Sequence, residues 1–485
     1  MNGLPRALLA DLRCPCCGSG FEIVAECTGS DDRLSDGVLA CDCYEYPVVE
    51  GIAVLRQMSP VSSISNGAVD LLRRGDTNGA LQWLLACGSA PGVQAPSAPR
   101  AGRLDSIPIL GSALRRLSGR RTVAPAVDLT KIEHFETALR ASRPRGYADY
   151  LYQRFANPSL LGAIPPLLVL GQACGLCPRK RLLDVLCGTG HSSSTVCALC
   201  PGLDVIMADF DYVNLYLARR FLAPELTALC VDAELPLPLA DDSVDAVFCM
   251  DGLHYVRSKG AFLNEVDRIV EPDGHWVFAH MHNRSHANVN AGAPLDAKGY
   301  RRHFSFGEMR MLPEHQVIEQ FRADGSLDLT DQVPDHVVEE SHALTLVGSR
   351  GDGLWRRHAG LDEMLLARPD RLSLNPLYRL ESRNGELLAN AVWPSESLKR
   401  ECTQTEALFS DGVRIPAHVL DAAPSTQGGT SESKDVLGLI RSFLLVSLPE
   451  CYSKVRSRLS LELVKIHVAF CSLELSPCWV ESCSI

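Results

Sequence analysis

Between residues 181 and 283 short apolar runs alternate with longer stretches in which apolar residues recur every three or four positions. The runs at 182–186, 204–208, 226–231, 244–250 and 275–281 are mostly apolar on both alternating faces, which predicts strands buried on both sides of a parallel sheet. Helical periodicity fills 191–200 and 262–270, and Glu271-Pro-Asp-Gly274 reads as a turn. Alternating β and α units predict an α/β fold with a Rossmann-like, mostly parallel sheet, whose ligands sit beyond the carboxyl ends of the strands.

Outside this stretch the pattern changes. Residues 68–85 hold two apolar-periodic pieces broken at 75–79 and predict a helix hairpin. Residues 88–125 are rich in Gly, Pro, Ser and Ala and carry Arg100, Arg103, Arg115, Arg116, Arg120 and Arg121, the composition of an exposed linker or of a phosphate-contacting arm. Two β-prone runs, 372–381 and 387–393, flank Asn384-Gly385 and predict a hairpin inside an accessory α+β module. Residues 424–434 read as a flexible linker to a tail whose apolar runs give no further reading. The expected units are 1–57, 58–125, 126–350, 351–423 and 424–485.

With 485 residues, 46% of them hydrophobic, more than one folded domain is expected, and a wholly disordered chain is excluded. The net charge of −11 opposes phosphate backbones everywhere except at the arginine-rich linker. The amino terminus lacks a leader pattern, and the apolar stretches 164–170 and 436–448 are too short to span a bilayer, so a soluble cytoplasmic chain without a membrane partner is expected. In that compartment thiols stay reduced, and nineteen cysteines point to metal ligands and small buried residues rather than disulfides.

Six of the nineteen fall in the first 43 residues, as Cys14-Pro-Cys16-Cys17, Cys27 and Cys41-Asp-Cys43. Strand-like pieces at 21–25 and 37–40 around the polar turn 29–33 would fold the last pair onto the first. Cys14, Cys17, Cys41 and Cys43 then suit a closed, structural tetrahedral Zn2+ site, with Cys16 as the spare; the alternative is a metal-free reduced hairpin. Together with the Tyr46-Pro-Val-Val-Glu-Gly-Ile52 stretch, these cysteines resemble the Trm112-type zinc ribbon, which stands alone as a methyltransferase activator or precedes a methyltransferase. The family's second pair is CxxC, whereas this chain has Cys41-x-Cys43.

The glycine turn Cys187-Gly188-Thr189-Gly190 follows the first strand, Asp209-Phe210 ends the second, Asp232-Ala233 the third and Met250-Asp251 the fourth. In this order they resemble the class I S-adenosylmethionine-dependent methyltransferases. Leu183-Asp184 to Gly190 matches the first motif, Asp209 the ribose-binding acid, Asp232-Ala233 the adenine-contacting pair, and Glu265 to Gly274 the late helix-turn signature. The resemblance implies a seven-stranded sheet, with 344–348 as its late antiparallel strand. It also implies S-adenosyl-L-methionine as cofactor. Leu186 replaces the first glycine of the family's DxGxGxG and would crowd the cofactor's amino-acid end. A dinucleotide dehydrogenase is disfavoured because Ser193 stands where GxGxxG needs its last glycine.

Methyl transfer needs alignment and water exclusion more than acid-base help, but His254, or His280 and His282, on the carboxyl edge of the sheet could take a proton from the acceptor. Tyr147, Tyr150 and Tyr152 could cover it, with ordinary helix packing as the favoured alternative. The leading expectation is a small-molecule methyltransferase acting on an O, N or C acceptor. An RNA methyltransferase using zinc ribbon and arginine linker, and an inactive scaffold, are the alternatives. Cys174, Cys177, Cys197 and Cys200 have paired-knuckle spacing that allows a second metal, against packing as small buried residues.

Overall fold

The computed structural model describes residues 3–56, 64–87, 128–175, 180–287, 292–383, 386–401, 409, 412–415 and 431–455. The arginine-rich linker, Cys177, Asn384-Gly385 and residues 424–430 lie outside the described residues.

All five predicted strands form, as β6 (Arg181–Val185), β7 (Asp204–Asp209), β8 (Thr227–Cys230), β9 (Val244–Met250) and β10 (Val270–His282). They lie in the order β8-β7-β6-β9-β10 with every neighbour parallel. β12 (Ala343–Ser349), the expected late strand, pairs antiparallel with β10, and β11 (Glu308–Pro313) closes that edge. The turn predicted at 271–274 is instead a register break inside β10, between Val270 and His275. A Cβ on Gly274 would fall 2.4 Å from Val270 Cγ1 and 2.9 Å from the Asp245 carbonyl oxygen, so glycine there serves a close strand approach rather than a chain reversal.

The expected separate β domain before a seven-stranded sheet is corrected. The amino-terminal strands β1 (Leu4–Pro5), β2 (Glu22–Gly29), β3 (Arg33–Ala40), β4 (Glu45–Val49) and β5 (Ile52–Val54) continue the same sheet, which reaches twelve strands. The junction is β5, which pairs parallel with β8 through Ile52, Ala53 and Val54 opposite Ala228, Leu229 and Cys230. Every residue from Ile52 to Leu55 is buried, as a strand covered on both faces requires.

Two helices, Ile64–Arg73 and Thr77–Cys87, form the predicted hairpin, with the Trp83 ring against Gly67, where a Cβ would sit 2.5 Å from it. The apolar stretch 164–170 lies in the helix Pro158–Gly175, whose residues through Gly171 are all buried, the signature of a core helix. Among the described residues no helix is long and apolar enough to cross a membrane.

The predicted hairpin is narrower than expected: Tyr378–Arg383 pairs with Glu386–Ala391, while Leu372–Leu374 pairs with Leu445–Ser447. The linker expected through residue 434 gives way to a helix at Ser431–Arg441. Beyond it, Tyr452 donates to the Tyr152 carbonyl (2.8 Å) and joins Phe135 and Phe155 in an aromatic cluster. Pairing with distant partners decides these elements, and local composition carries no record of it.

Candidate functional site

The carboxyl ends of β6 to β10 lie along one edge of the parallel sheet, where the ligand crevice of such folds lies. At the first, the chain turns through Leu186 (φ 61°), Gly188 (φ 56°) and Gly190 (φ 74°). The left-handed region costs a leucine about 1–2 kcal/mol. Leu186 is accommodated because Gly252 lacks a side chain: a Cβ there would lie 2.7 Å from Leu186 Cβ. A Cβ on Gly188 would meet nothing within 4 Å, so the turn opens onto free space. Its first residue is braced by the Cys187 N–H to the Ala208 carbonyl (3.1 Å), and Thr189 is buried, its hydroxyl 3.1 Å from His191 Nδ1.

Asp184 is wholly buried beneath this turn. One carboxylate oxygen accepts from the Ser193 hydroxyl at 2.5 Å and the other has no hydrogen-bond partner. Burial pushes its carboxyl up to about 7. A carboxyl raised in the folded state favours folding at low pH, and the advantage is lost as pH rises through the folded value. The cofactor-free protein is therefore expected to lose about 4 kcal/mol of stability between about pH 4 and pH 7 through this group. Urea unfolding at several pH values checks it: Asp184→Asn should flatten this dependence, and an unchanged slope would contradict the assignment.

Asp209 braces the turn from β7, its two oxygens accepting the N–H groups of Gly188 (2.8 Å) and Asp211 (2.9 Å). Beside it Phe210 is 36% exposed, with the Arg56 guanidinium 4.0 Å over its ring. Asp232 accepts from the Glu234 N–H at 2.9 Å and Ala233 is buried. Met250 is buried, its sulfur 3.8 Å from the Ser192 hydroxyl.

A second group gathers at the ends of β9 and β10. Asp251 (φ 54°) and His280 (φ 50°) both adopt left-handed backbone, and His280 lies in a register irregularity between Phe278 and Met281 that re-aims its side chain. Asp251 Oδ2 accepts from Arg154 (2.9 Å) and Tyr150 (2.8 Å), while its other oxygen has no hydrogen-bond partner. That oxygen lies 3.7 Å from His282 Nε2 and 3.9 Å from His254 Nε2. Burial works to raise the Asp251 carboxyl, but Arg154 and the imidazoles hold it below the usual range. His280 Nδ1 bonds Glu314 at 2.7 Å, and Glu314 raises the imidazole against the opposing effect of burial. His254 is 0% exposed and stacks on His282 at 4.0 Å; burial lowers His254 to about 4 and His282 to about 3.

Tyr147 and Tyr150 stack at 6.3 Å and the Tyr150 hydroxyl donates to Asp251, whereas Tyr152 stacks on Tyr452 at 5.0 Å. Arg154 and Glu314 escaped the sequence reading. Arg154 carries no local signal, and Glu314 has only its place after Pro313 at a helix start.

The four expected metal ligands also converge. One sulfur from each of Cys14, Cys17, Cys41 and Cys43 lies within 4.8 Å of the others. Cys43 Sγ stands 3.7 Å from Cys14 Sγ and 3.6 Å from Cys41 Sγ; sulfurs tetrahedral about zinc are about 3.8 Å apart. The spare, Cys16, is exposed. Among the described residues, Cys174, Cys197 and Cys200 do not gather into a ligand group; Cys174 and Cys200 are buried, and Cys197 bonds Glu225 at 3.4 Å.

Residues 183–278, the span that builds this crevice, match the family described as methyltransferase domain. Demethylmenaquinone methyltransferase of Renibacterium salmoninarum is 38% identical over 107 residues, 22% of this chain and 44% of that protein. The 2-methyl-6-phytyl-1,4-hydroquinone methyltransferase of Synechocystis is 30% identical over 113 residues, 23% of this chain and 35% of that protein. The chain thus spans less than half the length of these curated relatives. A solved complex of the Haloferax volcanii Trm112 methyltransferase activator with a methyltransferase aligns over 45% of this chain and 99% of that one, at 17% identity and TM-score 0.31. The glycine turn and the strand-end acids lie inside the matched span.

Proposed function

We propose that the chain is a cytoplasmic S-adenosylmethionine-dependent methyltransferase acting on a small-molecule O, N or C acceptor. The observation that carries this reading is the left-handed turn at 186–190, open above Gly188 and braced by Asp209. When bound, the cofactor supplies an activated methyl group. Asp184, Cys187, Gly188, Thr189 and Gly190 would hold its amino-acid end, Asp209 its ribose, and Phe210, Asp232 and Ala233 its base, with Met250 and Asp251 facing the reacting end. The exposed Phe210 ring offers an apolar face to a planar group.

His280 is the residue placed to take a proton from the acceptor, because Glu314 orients its ring and favours its protonated form. His254, buried without a hydrogen-bond partner at either nitrogen, is the poorer base. The relatives named for quinone and hydroquinone methylation support an organic acceptor. A Zn2+ ion at Cys14, Cys17, Cys41 and Cys43 would be structural, since four thiolates leave no open position.

Calorimetry with S-adenosylmethionine tests the reading. Asp209→Ala is expected to weaken binding tenfold or more, on the scale of hydrogen bonds to a charged group. Equal affinity in the variant, or no binding by the native chain, would sink it.

A further inference from the structure

We propose that Asp251, His280 and His282 form a binding site for one divalent transition-metal ion, separate from the cysteine cluster. Each offers one ligand atom, and the three atoms lie within 4.8 Å of one another. Ligands about 2.1 Å from a common ion stand about 3.0–3.4 Å apart, so the 3.7 Å between Asp251 Oδ1 and His282 Nε2 needs to close by only a few tenths of an ångström.

Three further features point to an ion rather than to packing. Asp251 Oδ1 is buried with no hydrogen-bond partner, while Arg154 and Tyr150 fix Oδ2 and so aim Oδ1 at the imidazoles. An uncompensated buried carboxylate oxygen is costly. His280 binds Glu314 through Nδ1, leaving Nε2 for coordination in the carboxylate-histidine-metal arrangement that orients metal-bound imidazoles. His254 is fully buried with both ring nitrogens unpartnered, and its Nε2 lies 3.9 Å from the same Asp251 oxygen. That places a potential fourth nitrogen at the cluster.

The geometry also carries strain. Asp251 and His280 hold left-handed backbone, a conformation that persists in non-glycine residues where the surrounding structure requires it and that concentrates at functional sites. Two imidazoles and one carboxylate with open positions suit iron(II), zinc, cobalt or manganese; magnesium and calcium prefer all-oxygen shells. An ion held here would polarise an acceptor oxygen and lower its pKa, replacing proton abstraction by His280, whose Nε2 would then be a ligand. That consequence rests on the methyltransferase reading; the metal binding itself does not.

The test is titration with Co2+ of the full chain whose cysteine cluster has first been filled with Zn2+, followed by visible absorption and by metal analysis. The expected result is one Co2+ per chain giving weak d–d bands without the strong sulfur-to-metal charge transfer of thiolate ligation. His282→Ala should abolish those bands. Glu314→Gln should weaken binding by about 10–100-fold, the range for partners of metal-bound histidine, with circular dichroism reporting that the variants are folded. Should His282→Ala misfold, His282→Gln and the native titration still decide. Absence of these bands in the native chain, their survival in a folded His282 variant, or thiolate bands alone would overturn the site. Calorimetry with S-adenosylmethionine on the same preparation separates the outcomes: cofactor binding without the Co2+ bands removes the metal site alone, and the bands without cofactor binding remove the methyltransferase reading alone.

Discussion

Asp251→Ala is expected to destabilise the fold by about 3–5 kcal/mol, the range for removing one partner of a buried ion pair. The Arg154 and Asp251 side chains are 9% and 11% exposed, and the pair links the helix-rich segment before β6 to the end of β9. Deleting the carboxylate strands the guanidinium and removes the acceptor of the Tyr150 hydroxyl. Because the folded carboxyl is held below its ordinary range, its contribution is present above the ordinary carboxylate pKa and fades as pH falls towards the folded value. Urea unfolding should therefore show the full difference at neutral pH and a smaller one in strong acid. Arg154→Met added to Asp251→Ala should recover part of the loss, since the stranded charge is then gone. A loss below about 1 kcal/mol at neutral pH would contradict the ion pair's structural role.

Cys14→Ser combined with Cys41→Ser is expected to lose one zinc per chain and to open the amino-terminal strands to protease. Metal binding in small thiolate sites contributes about 10–16 kcal/mol of apparent folding free energy, which adds to the burial of Leu4, Leu34, Leu39, Tyr46 and Val48 in holding these strands. The opening should stop near β5, because its pairing to β8 and its buried run from Ile52 to Leu55 anchor it in the larger sheet. Metal analysis and limited proteolysis check both parts. Retention of the zinc, or cleavage spreading through the strands from Arg181 onward, would contradict this division of labour.

Much of the fold is legible in the sequence, because the properties that encode it are local. Unbroken apolar runs give β6 to β10, the Gly188 and Gly190 turn lies where a strand meets a helix, and acids at strand ends mark the crevice. The cysteine spacing likewise anticipates which four sulfurs meet, since two short hairpin strands leave few other arrangements.

The rest depended on distant partners. That β5 joins β8 instead of ending a free ribbon is decided by an exposed strand edge finding another across more than 170 residues, and backbone hydrogen bonds carry no sequence label. Tyr150, Arg154, Asp251, His280 and Glu314 converge from separate elements, so no motif spacing could announce their contacts. Local residue preferences disfavour the left-handed backbone at Leu186, Asp251 and His280; only the packed strand ends impose it. The sequence by itself thus determined the parallel sheet, its carboxyl edge with the glycine turn and acids, and the cysteine cluster. Tertiary structure alone decided the twelve-strand continuity and the histidine-carboxylate group, because both rest on free energies of contact between segments that are strangers in the chain.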